Sequence, residues 1–170
     1  MNKPDTDAMI RVNHAGEYGA KRIYEGQLSV LRGKPAYNIV KEMKDQEHEH
    51  LETFEDYIRS RRVRPTVLMP LWHVGGWVLG ATTAAMGERA AMACTVAVES
   101  VIAQHYSEQE KELEDEEGEL KKHISKFCAD EMEHHDTGLE HGAENTPAYR
   151  MLYHGIRGIT KTAIALSKKI

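Results

Sequence analysis

Cysteine is nearly absent from this chain. Cys94 and Cys128 are the only two among 170 residues, and no Cys-x-x-Cys occurs. That excludes a disulfide framework and a thiolate zinc site. The two thiols read as small buried side chains in a reducing compartment. An excess of positive charge is also missing. The 22 basic residues stand against 27 acidic ones, a net charge of −5, which leaves no electrostatic footprint for nucleic acid. Proline is confined to Pro4, Pro35, Pro65, Pro70 and Pro147. Four of these fit helix starts or connections, and Pro70 alone sits inside an apolar run. Period-two alternation is scarce, which argues against sheet. The opening Met1-Asn2-Lys3-Pro4-Asp5 has neither the apolar core of a signal peptide nor the arginine-rich face of a transit peptide. The expectation is a bacterial cytosolic product, or a chain from which a targeting segment has been removed.

What remains is helical in character. The chain is 41% hydrophobic and 29% charged, a balance that fits one domain with a single core over residues 1–170. Periodicity and breakers predict six helices at about residues 7–31, 36–60, 66–86, 88–113, 119–142 and 147–170. Gly87 separates the third from the fourth. The acidic patch at residues 114–117, with Gly118, reads as a turn or solvated loop.

A weak internal repeat runs through these helices. Glu17-x6-Tyr24-x2-Gln27 recurs as Glu99-x6-Tyr106-x2-Gln109, offset by 82 residues. Glu47-x-x-His50 recurs as Glu131-x-x-His134, offset by 84. A near-constant offset predicts two related helical hairpins packed about a pseudo-twofold axis. Residues three apart share a helix face, so each Glu-x-x-His can bind one metal centre. With the lone Glu17 and Glu99, the set is four glutamates and two histidines from four helices. That is the ligand pattern of ferritin-like di-metal carboxylate proteins. Four unpaired carboxylates would be costly to bury, and two divalent ions make the site formally neutral. Oxygen-rich ligation with two imidazoles suits iron or manganese. Glu47 and Glu131 are the candidate bridges, and Glu17 and Glu99 the terminal carboxylates.

Other histidines form similar pairs. His14-x-x-Glu17, Asp45-x-x-His48 and His141-x-x-Glu144 all have the spacing, but none recurs in register. His14, His48, His135 and His141 are therefore read as surface residues or as supports behind the site. Tyr24 and Tyr106 lie seven residues after a lone glutamate and so near its face. Core packing with a bonded hydroxyl and a redox or supporting role near the metals are both open for them. Asp130 could orient a histidine ligand from a neighbouring helix, although the repeat has Gln46 there.

Four stretches carry a resemblance. They are Ile10-Arg11-Val12-Asn13-His14-Ala15-Gly16-Glu17, Arg64-Pro65-Thr66-Val67-Leu68-Met69-Pro70-Leu71-Trp72, Ala91-Met92-Ala93-Cys94-Thr95-Val96-Ala97-Val98-Glu99 and Asp130-Glu131-Met132-Glu133-His134-His135-Asp136. Together the chain resembles the demethoxyubiquinone hydroxylases, from about Met9 to the C-terminus. The resemblance implies an all-α, ferritin-like four-helix di-iron bundle with two additional amphipathic or apolar helices. It implies iron ligation by Glu17, Glu47, His50, Glu99, Glu131 and His134. It further implies a membrane-associated monooxygenase that hydroxylates the ring of a polyprenylated demethoxyubiquinol. The cofactors would be two iron ions, dioxygen as co-substrate, and NADH or reduced quinone as electron source. Other ubiquinone-biosynthesis proteins, including a lipid-binding one, are expected partners, and homo-oligomers are open. The chain departs from the family in having Ser100 where many members carry a second acidic residue.

Residues 66–86 form a 21-residue apolar stretch whose one ionisable side chain is His73. It could reach about 30 Å as a helix. A single span would put Glu47 and Glu131 on opposite sides of a bilayer, so an interfacial or covering helix is expected. Trp72, Trp77 and Leu79 would face lipid, with the arginines at 59, 61, 62 and 64 near lipid phosphates. A buried core helix or a dimer contact is the alternative. The sixth helix, with Ile156, Ile159, Ala163 and Leu166 on one face and lysines near its end, reads as interfacial. The expected location is the cytoplasmic face of a bacterial inner membrane or the matrix face of the mitochondrial one. Iron storage or ferroxidase activity on the same bundle is the competing reading. A rubrerythrin-type peroxidase would need the missing cysteine pair. A non-enzymatic lipid-binding protein would survive metal removal.

Overall fold

A computed structural model of the chain describes residues 5–170. The N-terminal reading made on residues 1–4, and on Pro4 as a helix start, lies outside them. Among the described residues there are six α-helices: α1 (Thr6–Val30), α2 (Tyr37–Arg61), α3 (Met69–Ala85), α4 (Glu88–Glu112), α5 (Gly118–Glu140) and α6 (Tyr149–Ser167). Short 3-10 turns at Asp115–Glu117 and Ala143–Asn145 join the later helices. All six sequence-predicted helices are present.

The boundaries have local causes. Asp5 accepts the Ala8 N–H at 3.0 Å and so starts α1. Gly87, with φ of +121°, makes the corner between α3 and α4 that a side chain would strain. Pro70 proves to be no exception. The helix begins at Met69, so Pro70 lies in the first turn, where its missing N–H costs nothing. As a result α3 has 17 residues rather than 21, about 25 Å at 1.5 Å per residue. Among the described residues no helix is long and apolar enough to cross a membrane.

The four helices α1, α2, α4 and α5 form a ferritin-like bundle, with α1 along α2 and α4 along α5. The two hairpins meet antiparallel. Gln27 Nε2 donates to the Ala91 carbonyl at 3.0 Å near one end of α1. Asn13 and Gln109 exchange amide hydrogen bonds of 2.7 and 2.9 Å near the other. Phe54, Leu120, Ile124 and Phe127 close one core cluster, and Tyr24, Val40, Met43 and Met92 another.

The two extra helices pack outside the bundle, α3 on α1 and α6 on α4. The α1–α3 contact is backbone on backbone. A Cβ added at Gly80 would stand 1.9 Å from the Ile23 carbonyl oxygen, and one at Gly26 2.1 Å from that of Trp77. Only glycine allows this approach. The lower part of α6 is tied to the start of α3, where Trp72 Nε1 donates to Ser167 Oγ at 2.9 Å. Thr66 Oγ1 also donates to the Ile170 carbonyl.

Two expectations about outward faces need correction. Leu79 is only partly exposed and turns inward, packing on the core, whereas Val74 stands 60% exposed on the outer face of α3. Ile156 is buried in the core at 3% exposure, while Ile159 on the same stripe is 58% exposed. The reason is geometric: α3 and α6 each press one edge against the bundle, so only part of each apolar stripe is left outside.

The glycine contact makes a stability test. Gly80→Ala should cost roughly 1–3 kcal/mol or more through backbone overpacking. Gly158→Ala, where a Cβ meets nothing within 4 Å, should be neutral or stabilise α6 by up to about 1 kcal/mol. Urea unfolding of the two variants against the native chain measures both.

Candidate metal centre

The bundle brings all six spacing-derived residues together. Glu17 (α1), Glu47 and His50 (α2), Glu99 (α4), and Glu131 and His134 (α5) are each no more than 2% exposed. Their ligating atoms fall into two overlapping groups: Glu17, Glu47, His50 and Glu131, and Glu47, Glu99, Glu131 and His134. Within each group one atom per residue lies inside 4.8 Å of the others. Glu47 and Glu131 belong to both, as candidate bridges would. His50 Nδ1 lies 3.4 Å from Glu17 Oε2 and 3.2 Å from Glu131 Oε1. His134 Nδ1 lies 3.2 Å from Glu47 Oε1 and 3.3 Å from Glu131 Oε2.

Each histidine turns its other nitrogen to a fixed acceptor. His50 Nε2 is 3.0 Å from Asp130 Oδ2, and His134 Nε2 is 2.6 Å from Gln46 Oε1. Asp130 therefore does orient the histidine of the neighbouring helix. Gln46 holds the matching place, so the mismatch in the repeat is a substitution of acceptor and not the loss of one. This leaves Nδ1 of each ring aimed at the carboxylates.

The tyrosines cross over. Tyr24 on α1 donates to Glu99 Oε1 on α4 at 2.6 Å. Tyr106 on α4 donates to Glu17 Oε1 on α1. Both are 1% exposed, and burial first, then the nearby glutamates, holds both phenols well above their ordinary range. Each therefore stays protonated, fixing one oxygen of a terminal glutamate. These partners could not be read from sequence, since the repeat relates the tyrosines to glutamates on their own helices.

The remaining oxygens lack donors. Glu17 Oε2, both oxygens of Glu47, Glu99 Oε2, Glu131 Oε2 and His134 Nδ1 are buried without a hydrogen-bond partner. Such atoms are costly in a dry core. Burial, reinforced by Glu131, pushes the Glu47 and Glu99 carboxyls well above the carboxylate range. Glu131 is also desolvated, but the His134 and His50 imidazoles beside it outweigh that and hold it below the range. Burial opposes protonation of His50, yet Glu131 and Glu17 raise it overall. The donor set of hard oxygens and two imidazoles fits divalent iron or manganese.

The other histidines do not join the cluster. His48 is exposed and faces Glu52 at 3.4 Å, and His135 pairs with Asp136 at 2.9 Å. His141 is exposed and bonds the Thr137 carbonyl. His14 differs from the other three: it is 7% exposed, and its Nδ1 has no partner.

An apolar cavity of about 430 Å³ lies between α1, α3, α4 and α6. Its inner wall includes Gly16 and Val98, the residues directly preceding Glu17 and Glu99, with Ala20 and Ile102 one turn on. Leu79 of α3 and Ile159 and Ala163 of α6 line the outer side. Sequence reasoning named α3 and α6 as covers. It missed the small residues of α1 that make the space.

An all-helical ferritin-like bundle around a buried glutamate–histidine cluster defines the class of carboxylate-rich, metal-binding helical proteins. Comparison narrows the class. The family described as "Ubiquinone biosynthesis protein COQ7" matches residues 4–167, and the chain belongs to that family. It is 50% identical over 173 residues to the rat "NADPH-dependent 3-demethoxyubiquinone 3-hydroxylase, mitochondrial", covering 99% of this chain and 80% of the relative. It is 47% identical over 165 residues to the "3-demethoxyubiquinol 3-hydroxylase" of Rhodospirillum rubrum, covering 96% and 78%. The "5-demethoxyubiquinone hydroxylase, mitochondrial" of Saccharomyces cerevisiae is 38% identical over 181 residues, covering 96% and 78%.

The electrostatics set a pH dependence for the metal-free protein. Raised glutamate and histidine values mean that the folded chain binds more protons than the unfolded one above pH about 4.5. Stability of chelator-stripped protein should therefore fall as pH rises from 5 to 8, by about 1.4 kcal/mol per pH unit for each excess proton. Added divalent metal should flatten the curve. Thermal unfolding across that range reads the slope, and a metal-free protein that gains stability with pH would contradict it.

Proposed function

We propose that this chain is a di-iron monooxygenase that hydroxylates the ring of a polyprenylated demethoxyubiquinol. The observation that carries the reading is the convergence of four buried glutamates and two buried histidines on two overlapping groups that share Glu47 and Glu131. The hydroxylase names of the relatives support the reaction. In this reading the whole chain, residues 1–170, acts as one domain. Glu17, Glu47, His50, Glu99, Glu131 and His134 would hold two iron ions, and Glu47 and Glu131, common to both groups, would serve both.

Bound iron supplies the activation of dioxygen that side chains cannot perform. The protein does the rest. Asp130 and Gln46 keep the histidine rings turned so that Nδ1 faces the carboxylates. Tyr24 and Tyr106 keep their protons and hold Glu99 and Glu17 in place. The apolar cavity excludes water from the reacting ring, and its wall of Ala15, Gly16, Gly19 and Ala20 leaves room for that ring beside Glu17 and Glu99. Electrons come from reduced nicotinamide or from the quinol itself. Anaerobic reduction of the iron by NADH, with and without quinone, separates the two.

A polyprenyl quinol is too apolar to reach the cavity through water, and α3 and α6 flank the cavity's outer side. They carry Val74 at 60%, Leu71 at 54% and Ile159 at 58% exposure. In this reading they rest on a membrane surface, which makes the protein peripheral and lets the substrate enter from lipid. The location is then the cytoplasmic face of a bacterial inner membrane or the matrix face of a mitochondrial one.

Two experiments test the reading. Native protein should hold two irons per chain and incorporate label from dioxygen, not from water, into the new hydroxyl. Glu131→Ala should lose metal and turnover together, while the exposed His48→Ala keeps both. Full iron occupancy in Glu131→Ala would refute the ligand set. Separately, Val74→Asp should weaken liposome binding and turnover of a long-tailed quinol, sparing iron content and most turnover of a short-tailed one. Equal loss on both substrates, with liposome binding unchanged, would remove the membrane route.

A further inference from the structure

The two related halves of the bundle are not equally aromatic. The 84-residue shift that carries Glu47 onto Glu131 carries Phe54 onto Gly138, and its reverse carries Phe127 onto Met43 and His123 onto Ile39. Gly138 is filled in by Val96 and Met92. At these three positions one half packs without rings where the other uses them, while Tyr57 maps onto His141, an exposed imidazole. Helix packing alone does not demand rings at 54, 123 and 127.

The rings form a connected series from the surface to one candidate ligand. The Phe127 ring centre is 3.9 Å from that of His50. His123 stacks on Phe127 at 6.0 Å with 15° between planes. Tyr57 meets His123 edge-on at 5.8 Å, and its hydroxyl lies 2.9 Å from His123 Nδ1. A second branch runs from Tyr57 to Phe54 at 6.2 Å, and Phe54 stacks on Tyr106 at 6.3 Å and 9°. Tyr106 donates to Glu17. Both branches end in the same four-residue group, on His50 and on Glu17. Phe54 and Phe127 are buried, whereas Tyr57 and His123 are half-buried at the outer end. The Arg61 guanidinium, 5.3 Å from the Tyr57 ring centre and bonded to Glu117, opposes a positive charge on that ring. An electron can leave Tyr57 readily only with its proton, and His123 Nδ1 is the acceptor in reach.

We propose that Tyr57 is a one-electron donor to the metal centre, acting when dioxygen has oxidised the centre and no quinol ring is in place. The Tyr57 O–H bond breaks. Its electron passes along the rings and reduces the centre by one electron, and its proton moves to His123 Nδ1. A neutral phenoxyl and an imidazolium remain at the surface. A small external reductant such as ascorbate returns the electron, and His123 returns the proton. The series discharges an unused oxidising equivalent before it attacks His50 or the buried rings. This rests on the di-iron reading above.

The test uses the full chain loaded anaerobically with ferrous iron, its iron measured, then mixed with dioxygen without quinone and frozen. Electron paramagnetic resonance should detect a phenoxyl radical that shifts with ring-deuterated tyrosine. The signal should be lost in Tyr57→Phe and in His123→Phe, which keeps a ring but has no acceptor. Both variants should retain native iron content. Peptide mass spectrometry of Tyr57→Phe should then find oxidation moved to His50 or Phe127. An undiminished radical in Tyr57→Phe would overturn the proposal, as would no radical in native protein that holds two irons and consumes dioxygen. In both cases the di-iron reading stands. A chain that takes up no iron overturns both.

Discussion

Four carboxylates buried in one core are the constraint on which the rest of the structure depends. Ionised and unpaired, they would repel each other across a dry interior, and desolvation alone would drive them to bind protons. The bundle answers with fixed donors on part of the set. Glu17 and Glu99 each take one tyrosine hydroxyl, and Glu131 takes His50, with His134 3.3 Å away. Glu47 takes no hydrogen bond on either oxygen. A site left so incomplete is suited to cations, since no further protein donor is needed once divalent charge is present. The helices pack around a hole in their own hydrogen bonding.

The same economy of side chains appears on the outside of α1. Glycine and alanine at positions 15, 16, 19 and 20 let one face of α1 border a cavity. Gly26, with Gly80 on α3, lets the two backbones touch. The contact fixes the tilt of α3 at one end, and the small residues leave space at the other. Helix α3 is therefore held by α1 while its outer face stays apolar and exposed. A cover so firmly seated is a poor candidate for large movement. Helix α6 is seated through side chains instead, with Ile156 in the core and Ser167 bonded to Trp72.

Much of this was legible in the residues, for physical reasons. Helix ends follow from glycine, proline and capping chemistry, which act locally. The six clustered residues follow from helical spacing and a repeat, because a pseudo-twofold bundle copies its ligand geometry. What escaped depends on three dimensions. Tyr24 and Tyr106 serve glutamates on the opposite hairpin, a relation no offset along the chain encodes. Gln46 looked like a broken repeat only because an amide oxygen and a carboxylate differ in name while both accept from an imidazole. Leu79 and Ile156 lie on apolar stripes whose width exceeds the face left outside, and only packing decides which members are covered. Sequence alone leaves His14 between surface and supporting residue because its repeat position is Val96, and that apolar counterpart matches the buried place it takes.

The matched ligand positions also hide an inequality. His50 is backed by a carboxylate and His134 by an amide. A carboxylate behind an imidazole makes it the more basic donor, so His50 would be the stronger ligand of the two to a bound cation. The aromatic series reaches the bundle interior on that side, while the positions equivalent to Phe54, Phe127 and His123 are Gly138, Met43 and Ile39, and the ring beside His134 is Tyr24. The apolar cavity is lined by none of the six clustered residues, and its α1 and α4 walls carry Gly16 and Val98, next in the chain to Glu17 and Glu99. Repetition thus built the cage, and its departures from repetition assign directions within it. The cavity lies toward α1 and α4 and the aromatic series runs on α2 and α5, so an apolar occupant and a route for stray charge need not compete for one face of the bundle.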